Sequence, residues 1–245
     1  MSLTYLVNEI YPCLQGEGPF LGTPSVLVRF QICNLRCTWC DTPYTHTFLS
    51  DAVDKTNPKG TQKFFRNSLC ELSEKIYSFS QKHIILSGGE PTLQNIGKLM
   101  RELLKKGTYT FEVESNGTRI PHKNVAGFLE SDYQLAQWNI SPKFSNAGET
   151  IDEEALQHWA QLSNKTSNVI FKFVIREKFC AEDIQVVHNL VQQYQLQSQN
   201  IILMPEGITI ESQLKNKWLH DVCLEHGFRY TPRLHILLFG NERGI

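Results

Sequence analysis

Successive β-rich runs starting at His83, Tyr109, Gln137, Val169, Ile201 and Phe228 lie 26 to 32 residues apart. That rhythm does most to narrow the fold. About thirty residues is the length of one strand, one helical crossover and its two connections, so the runs predict parallel strands with a helix between neighbours. The strands are expected at Ser25 to Phe30, His83 to Leu86, Tyr109 to Val113, Gln137 to Ile140, Val169 to Val174, Ile201 to Met204 and Phe228 to Tyr230. Between them, apolar residues recur at helical spacing: Leu72, Ile76 and Phe79, then Ile96, Leu99 and Leu103, then Val186, Val187, Leu190, Val191 and Tyr194. Asp152-Glu153-Glu154 reads as the acidic first turn of a further helix. The expected class is α/β, a partial (βα)6 barrel of parallel strands. Only the interval from Ser25 to His83 is longer, and its polar stretch from Ser50 to Gly60 predicts an inserted loop around residues 44–66 that is mobile or covers a site.

With 245 residues, 41% of them hydrophobic, the chain can bury a large core, and no Pro/Gly/Ser-rich linker divides it. A single domain over residues 1–245 is expected. The net charge is -1, from 24 basic and 25 acidic residues mixed along the sequence, which leaves no footprint for nucleic acid or an anionic membrane. A small-molecule substrate is favoured. The opening MSLTYLVNEI lacks a basic and apolar leader, and no apolar run approaches the ~18 residues that span a bilayer, so a soluble cytoplasmic protein is expected.

Seven cysteines is an odd number, and three of them, Cys33, Cys37 and Cys40, fall within eight positions while Cys13, Cys70, Cys180 and Cys223 are dispersed. Such a pattern fits reduced thiols presented to metal better than a disulfide framework. Thiolates suit either zinc or an iron–sulfur cluster. Structural zinc wants four protein ligands, and no fourth Cys or His stands at a finger-like spacing; Cys13 could approach in space, and His46 follows Cys40 by six residues. Three thiolates on a four-iron cube leave one iron open for a ligand.

The spacing C-x3-C-x2-C, with Trp39 just before the last cysteine, resembles the hallmark of the radical S-adenosylmethionine superfamily. The resemblance implies a [4Fe-4S] cluster on Cys33, Cys37 and Cys40 whose open iron binds S-adenosylmethionine, and an electron that breaks the sulfonium bond to give a 5'-deoxyadenosyl radical. Other motifs fall where predicted strands end, the functional face of a parallel barrel. The cysteine loop follows the first, Ser87-Gly88-Gly89-Glu90-Pro91 the second, Glu114-Ser115-Asn116-Gly117 the third, Ser141-Pro142-Lys143 the fourth and Met204-Pro205-Glu206-Gly207 the sixth. The resemblance implies S-adenosylmethionine contacts from Trp39, Cys40, Asp41, Gly89, Glu90, Glu114, Asn116, Ser141, Pro142, Lys143, Met204, Pro205 and Glu206. Taken alone, the glycine pair reads equally as a tight turn that permits close backbone approach to a ligand.

Leu14-Gln15-Gly16-Glu17-Gly18 ahead of the first predicted strand, Arg29, Cys40-Asp41-Thr42, Ser141-Pro142-Lys143 and the His235 segment together resemble the 7-carboxy-7-deazaguanine synthase family. That resemblance runs nearly end to end and is looser from Ile151 to Gly227. It implies a lyase of queuosine and deazapurine biosynthesis, on the path to tRNA modification. The implied substrate is 6-carboxy-5,6,7,8-tetrahydropterin, held by Leu14, Gln15, Gly16, Glu17, Arg29, Ser87, His235 and the terminal carboxylate of Ile245. It also implies Mg2+ on the Thr42 hydroxyl, a hard oxygen ligand, an electron donor such as flavodoxin or ferredoxin, and a homodimer. Chemically the set is coherent, since Gln15 both donates and accepts, Glu17 accepts from ring N–H groups and Arg29 pairs bidentately with a carboxylate. Two departures stand out: Ser115 where Thr is frequent, and no Gln opening the Met204 element, which puts Met204 and Glu206 in question. The competing readings are a glycyl-radical-activating enzyme, which needs an open groove for a protein partner, and a metal-stabilised binding module without catalysis.

Overall fold

The computed structural model describes residues 3–46, 64–120, 125, 128 and 136–244. Nine strands form one sheet in the order β3-β1-β2-β4-β5-β6-β7-β8-β9. They are β1 (Thr4–Leu14), β2 (Pro24–Phe30), β3 (Phe65–Ser68), β4 (His83–Gly88), β5 (Thr110–Ser115), β6 (Ala136–Ile140), β7 (Val169–Ile175), β8 (Ile201–Pro205) and β9 (Arg229–Tyr230). From β2 through β4 to β9 every pairing is parallel. The sheet is an open curve, a mostly parallel α/β arrangement of the partial-barrel kind. Among the described residues the helices with both ends defined are α1 (Leu69–Tyr77), α2 (Ile96–Leu104), α3 (Glu153–Ser163), α4 (Cys180–Tyr194), α5 (Ile210–Leu214), α6 (Lys217–His226) and α7 (Leu234–Phe239), and Val125 and Phe128 are also helical. None of them is long and apolar enough to cross a membrane.

Alternation along the strands separates two faces. Val26, Val28, Phe30, Ile84, Leu86, Phe111, Val113, Trp138, Ile140, Phe171 and Phe173 are buried in one apolar cluster with Leu72, Ile76, Leu99, Leu103, Leu156, Trp159 and Val187 of the helices. The other face carries Arg29, Ser87, Glu112, Glu114, Asn139, Lys172 and Met204 and forms the lumen. Helix starts follow their local signals. Ser68 and Glu71 make a reciprocal capping box at α1, and Asp152 caps α3 through the Ala155 amide.

The structure differs from the sequence-based expectation at the N-terminal end. Thr4–Leu14 is an eleven-residue strand antiparallel to β2, so Gln15-Gly16-Glu17-Gly18 is the turn after the first strand, not a segment ahead of it. The register slips between Val7 and Glu9. This bulge breaks the period-two pattern, and Pro12 interrupts it again, which hides the strand from a reading by alternation. In the segment expected as an insertion, Tyr44 and Thr45 are buried in a 3-10 turn and Phe65–Ser68 is an edge strand on β1. Residues 47–63 of that expected loop lie outside the described residues.

Candidate active site

The loops after the parallel strands surround one cavity of about 270 Å³ at the sheet's C-terminal edge. Its wall is made from both ends of the chain. Backbone geometry at the end of β4 explains how the cysteine loop is seated. Gly88 has φ +116°, and a Cβ there would stand 2.3 Å from the Phe30 backbone; one on Gly89 would stand 2.0 Å from Ile32 O and 2.8 Å from Cys33 N. The Gly89 amide donates to Phe30 O at 3.0 Å and the Glu90 amide to Ile32 O at 2.7 Å. Close approach at Gly88 is therefore to the end of β2 and at Gly89 to the root of the cysteine loop, and both glycines also line the cavity where the sequence suggested a ligand. Ile32, immediately before Cys33, has φ +81°, a costly conformation for a β-branched residue and one typical of functional turns.

A platform after β6 supports the loop from the other side. The Thr38 amide donates to Ala147 O at 2.9 Å and Trp39 Nε1 to Asn146 O at 2.8 Å. Cys33, Cys37 and Cys40 all line the cavity, and burial raises each thiol, Cys37 to about 11. Lys143 lies near them and counters that effect. Among the described residues no three His, Cys, Asp or Glu side chains stand close enough to hold one metal ion. Three cysteine thiols are the donor set of an iron–sulfur cube with one iron left open, whereas structural zinc wants a fourth protein ligand.

Of the residues assigned to S-adenosylmethionine, Trp39, Cys40, Asp41, Gly89, Glu114, Asn116, Ser141, Lys143 and Met204 line the cavity; Glu90, Pro142, Pro205 and Glu206 do not. Glu90 is fully buried, with both oxygens taken: Thr92 N and Thr92 Oγ1 donate at 3.0 and 2.6 Å, Ser115 Oγ at 2.9 Å and Asn116 N at 2.7 Å. Glu206 is exposed, while Pro205 is buried at the end of β8. The Lys143 ammonium donates to Ser141 O and Oγ at 2.7 and 2.6 Å, and burial lowers its pKa. Thr42 lines the cavity with its hydroxyl 3.7 Å from Cys40 Sγ.

Leu14, Gln15, Gly16, Glu17, Arg29, Ser87 and His235 line the same cavity, while Ile245 lies outside the described residues. Gly16 is required by His235, because a Cβ there would stand 2.3 Å from the imidazole Nδ1. The Leu234 amide donates to Gly16 O at 2.8 Å, fastening the two segments. Burial lowers the pKa of His235. Burial opposes ionisation of Glu17, yet Lys172, Arg233 and His235 outweigh it and bring its carboxyl down to about 2. Arg29 donates from Nε to Glu9 Oε2 at 2.7 Å.

Several wall residues escaped the sequence reading. Lys172 Nζ donates to Glu17 Oε2 and Glu114 Oε2, both at 2.7 Å. Arg233 lies 3.6 Å from Glu17 and 3.4 Å from Asp41. Below them, Glu112 accepts from Gln15 Nε2, Asn139 Nδ2 and His83 Nε2. A signal existed, since Lys172 and Glu112 interrupt apolar strands with a charge.

The Radical SAM superfamily model matches residues 27–147. Over 243 residues the chain is 29% identical to the 7-carboxy-7-deazaguanine synthase of Rhodopirellula baltica, covering 98% of this chain and 88% of that protein. It is 31% identical to the enzyme of the same name from Pyrobaculum aerophilum, covering 97% and 96%. The crystal structure of QueE from Escherichia coli superposes with a TM-score of 0.70 at 24% identity, over 95% of each chain, a likeness of fold. The cysteine cavity, the turn that joins it to His235 and these full-length similarities lead to one conclusion: the chain belongs to the 7-carboxy-7-deazaguanine synthase family of radical S-adenosylmethionine enzymes.

Proposed function

We propose that this chain converts 6-carboxy-5,6,7,8-tetrahydropterin into 7-carboxy-7-deazaguanine with loss of ammonia. The observation that carries the reading is one cavity lined both by Cys33, Cys37 and Cys40 and by Gln15, Glu17, Arg29 and His235. A bound [4Fe-4S] cluster and S-adenosylmethionine would supply homolytic abstraction of a hydrogen atom from the substrate. Everything else falls to the chain's own side chains.

Cys33, Cys37 and Cys40 would hold three irons. Glu114, Asn116, Ser141, Lys143 and Met204 form the wall beside the thiols, where S-adenosylmethionine would lie. Glu90 acts through others, since its carboxylate fixes Ser115 and the Asn116 amide. Glu17, ionised at neutral pH, accepts from ring N–H groups of the pterin. Gln15 donates to Glu112, which orients its amide. Glu9 fixes the plane of the Arg29 guanidinium that pairs with the substrate carboxylate. His235 offers a hydrogen bond from its imidazole. The Thr42 hydroxyl would be a suitable hard ligand for Mg2+.

The reading requires a one-electron donor of flavodoxin or ferredoxin type and takes the working unit as a homodimer acting in the cytoplasm, without nucleic-acid or membrane contact. An activating enzyme for a glycyl radical would leave Gln15, Glu17 and Arg29 without a task. Anaerobic incubation of the reconstituted protein with the carboxypterin, S-adenosylmethionine and a reductant should yield the deazapurine. Release of 5'-deoxyadenosine with no deazapurine would overturn the assignment.

A further inference from the structure

His46 stands six residues after Cys40, at the end of the 3-10 turn Pro43–Thr45. The turn is tightly held. The Thr45 amide and hydroxyl donate to Thr42 O at 2.9 and 2.8 Å, the His46 amide donates to Pro43 O at 3.2 Å, and the Ile32 amide donates to Thr45 O at 2.7 Å. Thr45 itself is fully buried. The backbone at His46 is thus fixed against the root of the cysteine loop, and its partly buried imidazole places Nε2 3.2 Å from Cys40 Sγ.

In a free thiol either partner of that contact can donate. A sulfur bound to iron has no proton, so it can only accept, and the contact persists only with the hydrogen on Nε2. Hydrogen bonds to cluster sulfurs are a recognised lever on reduction potential, because the reduced cluster carries one more negative charge and gains more from a donor. Other donors at the cluster thiols are the Leu35 amide, at 3.4 Å from Cys33 Sγ, Asn116 Nδ2, at 3.8 Å from the same sulfur, and the Thr42 hydroxyl, at 3.7 Å from Cys40 Sγ. His46 makes the shortest of these contacts.

We propose that His46 is a positioning residue that donates from Nε2 to the iron-bound sulfur of Cys40 and raises the reduction potential of the cluster. One electron from the external donor then converts the oxidised cluster to its reduced form more readily, with no change in its ligands. The proposal rests on the cluster reading and adds a residue outside the cysteine motif to it.

The test compares reconstituted wild-type protein with His46→Phe, which keeps a ring but loses the donor, and His46→Gln, which keeps an N–H. Iron and sulfide contents report cluster loading separately from its potential. In redox titrations followed by electron paramagnetic resonance, without S-adenosylmethionine, His46→Phe should disfavour reduction about tenfold, a fall of about 59 mV for one electron. His46→Gln should recover a large part of that shift. In wild-type protein labelled with 15N-histidine, the reduced cluster should show a weak 15N coupling that His46→Gln abolishes. An unchanged potential in loaded His46→Phe would overturn the proposal. If that variant does not load, the labelled wild-type protein decides alone, and absence of the 15N coupling is equally fatal. A wild-type protein that takes up no four-iron cluster would instead overturn the cluster reading.

Discussion

Lys172 is the residue on which the two halves of the cavity depend. It sits in the fully buried strand Val169–Ile175, is 3% exposed, and bridges Glu17 to Glu114 in the cavity wall. Removing it leaves two carboxylates in a low-dielectric wall, and breaking a buried pair costs about 3–5 kcal/mol. Lys172→Met should lose roughly that much in denaturant unfolding. The pH dependence follows from Glu17. Its carboxyl is lowered from 4.5 to about 2 in the folded chain, so its ionised form stabilises the fold fully above the unfolded value and that contribution is lost as pH falls from 4.5 towards 2. Without Lys172 the folded value rises. Acid unfolding of Lys172→Met should then begin at higher pH than in the wild type, and the acid limb of kcat/KM should move the same way. Identical acid limbs for the two proteins would mean that Lys172 does not control Glu17. At the cluster, Cys37→Ala should leave the far-ultraviolet circular dichroism spectrum unchanged while iron content and visible absorption collapse on reconstitution.

At the level of elements, the glycine pair ending β4 couples the sheet to the cysteine loop. A methyl group on Gly89 would meet Ile32 O and Cys33 N, both backbone atoms that cannot rotate away. Gly89→Ala should therefore cost about 1–3 kcal/mol, as overpacking does, and lower iron incorporation more than it lowers melting temperature. Full iron content in that variant would show that the loop seats itself without this contact. The parallel strands were legible because each is an apolar run at a regular interval. β1 was hidden by its bulge, and β3 by being short and polar, with Phe65 on the exposed edge. In the site, the cysteines and Gln15 to Glu17 were legible through their spacing and family resemblance. Lys172 and Glu112 were marked only as charges interrupting apolar strands, and Arg233 lies just ahead of α7, so the partners of all three show only when distant segments align. The motif singled out Glu90 for a ligand contact, and the fold adds that its carboxylate accepts from Thr92, Ser115 and Asn116.

For the molecule as a whole, the sheet is apolar toward its helices and polar toward its lumen, and the second property gives the fold its chemistry. A lumen filled with aliphatic side chains would be easier to stabilise. Here Glu112 lies fully buried at its base, accepting from Gln15, Asn139 and His83, and His83 Nδ1 lies 2.8 Å from Thr110 Oγ1. Both Glu112 oxygens have donors, as a buried carboxylate requires, while Asn139 Oδ1 has no hydrogen-bond partner. The network thus transmits the positions of β4, β5 and β6 to the Gln15 amide, which faces the cavity. Glu112→Gln tests that idea with almost no change of volume. A glutamine has one accepting oxygen for three donors and turns its own NH2 toward at least one of them, a mismatch worth about 1–3 kcal/mol. The variant should unfold at lower denaturant and still load its cluster. Its KM for the carboxypterin should rise several-fold while release of 5'-deoxyadenosine without substrate stays at the wild-type rate. If stability fell and KM did not move, the buried network would be a structural filler and the orientation of Gln15 would be set by its own turn.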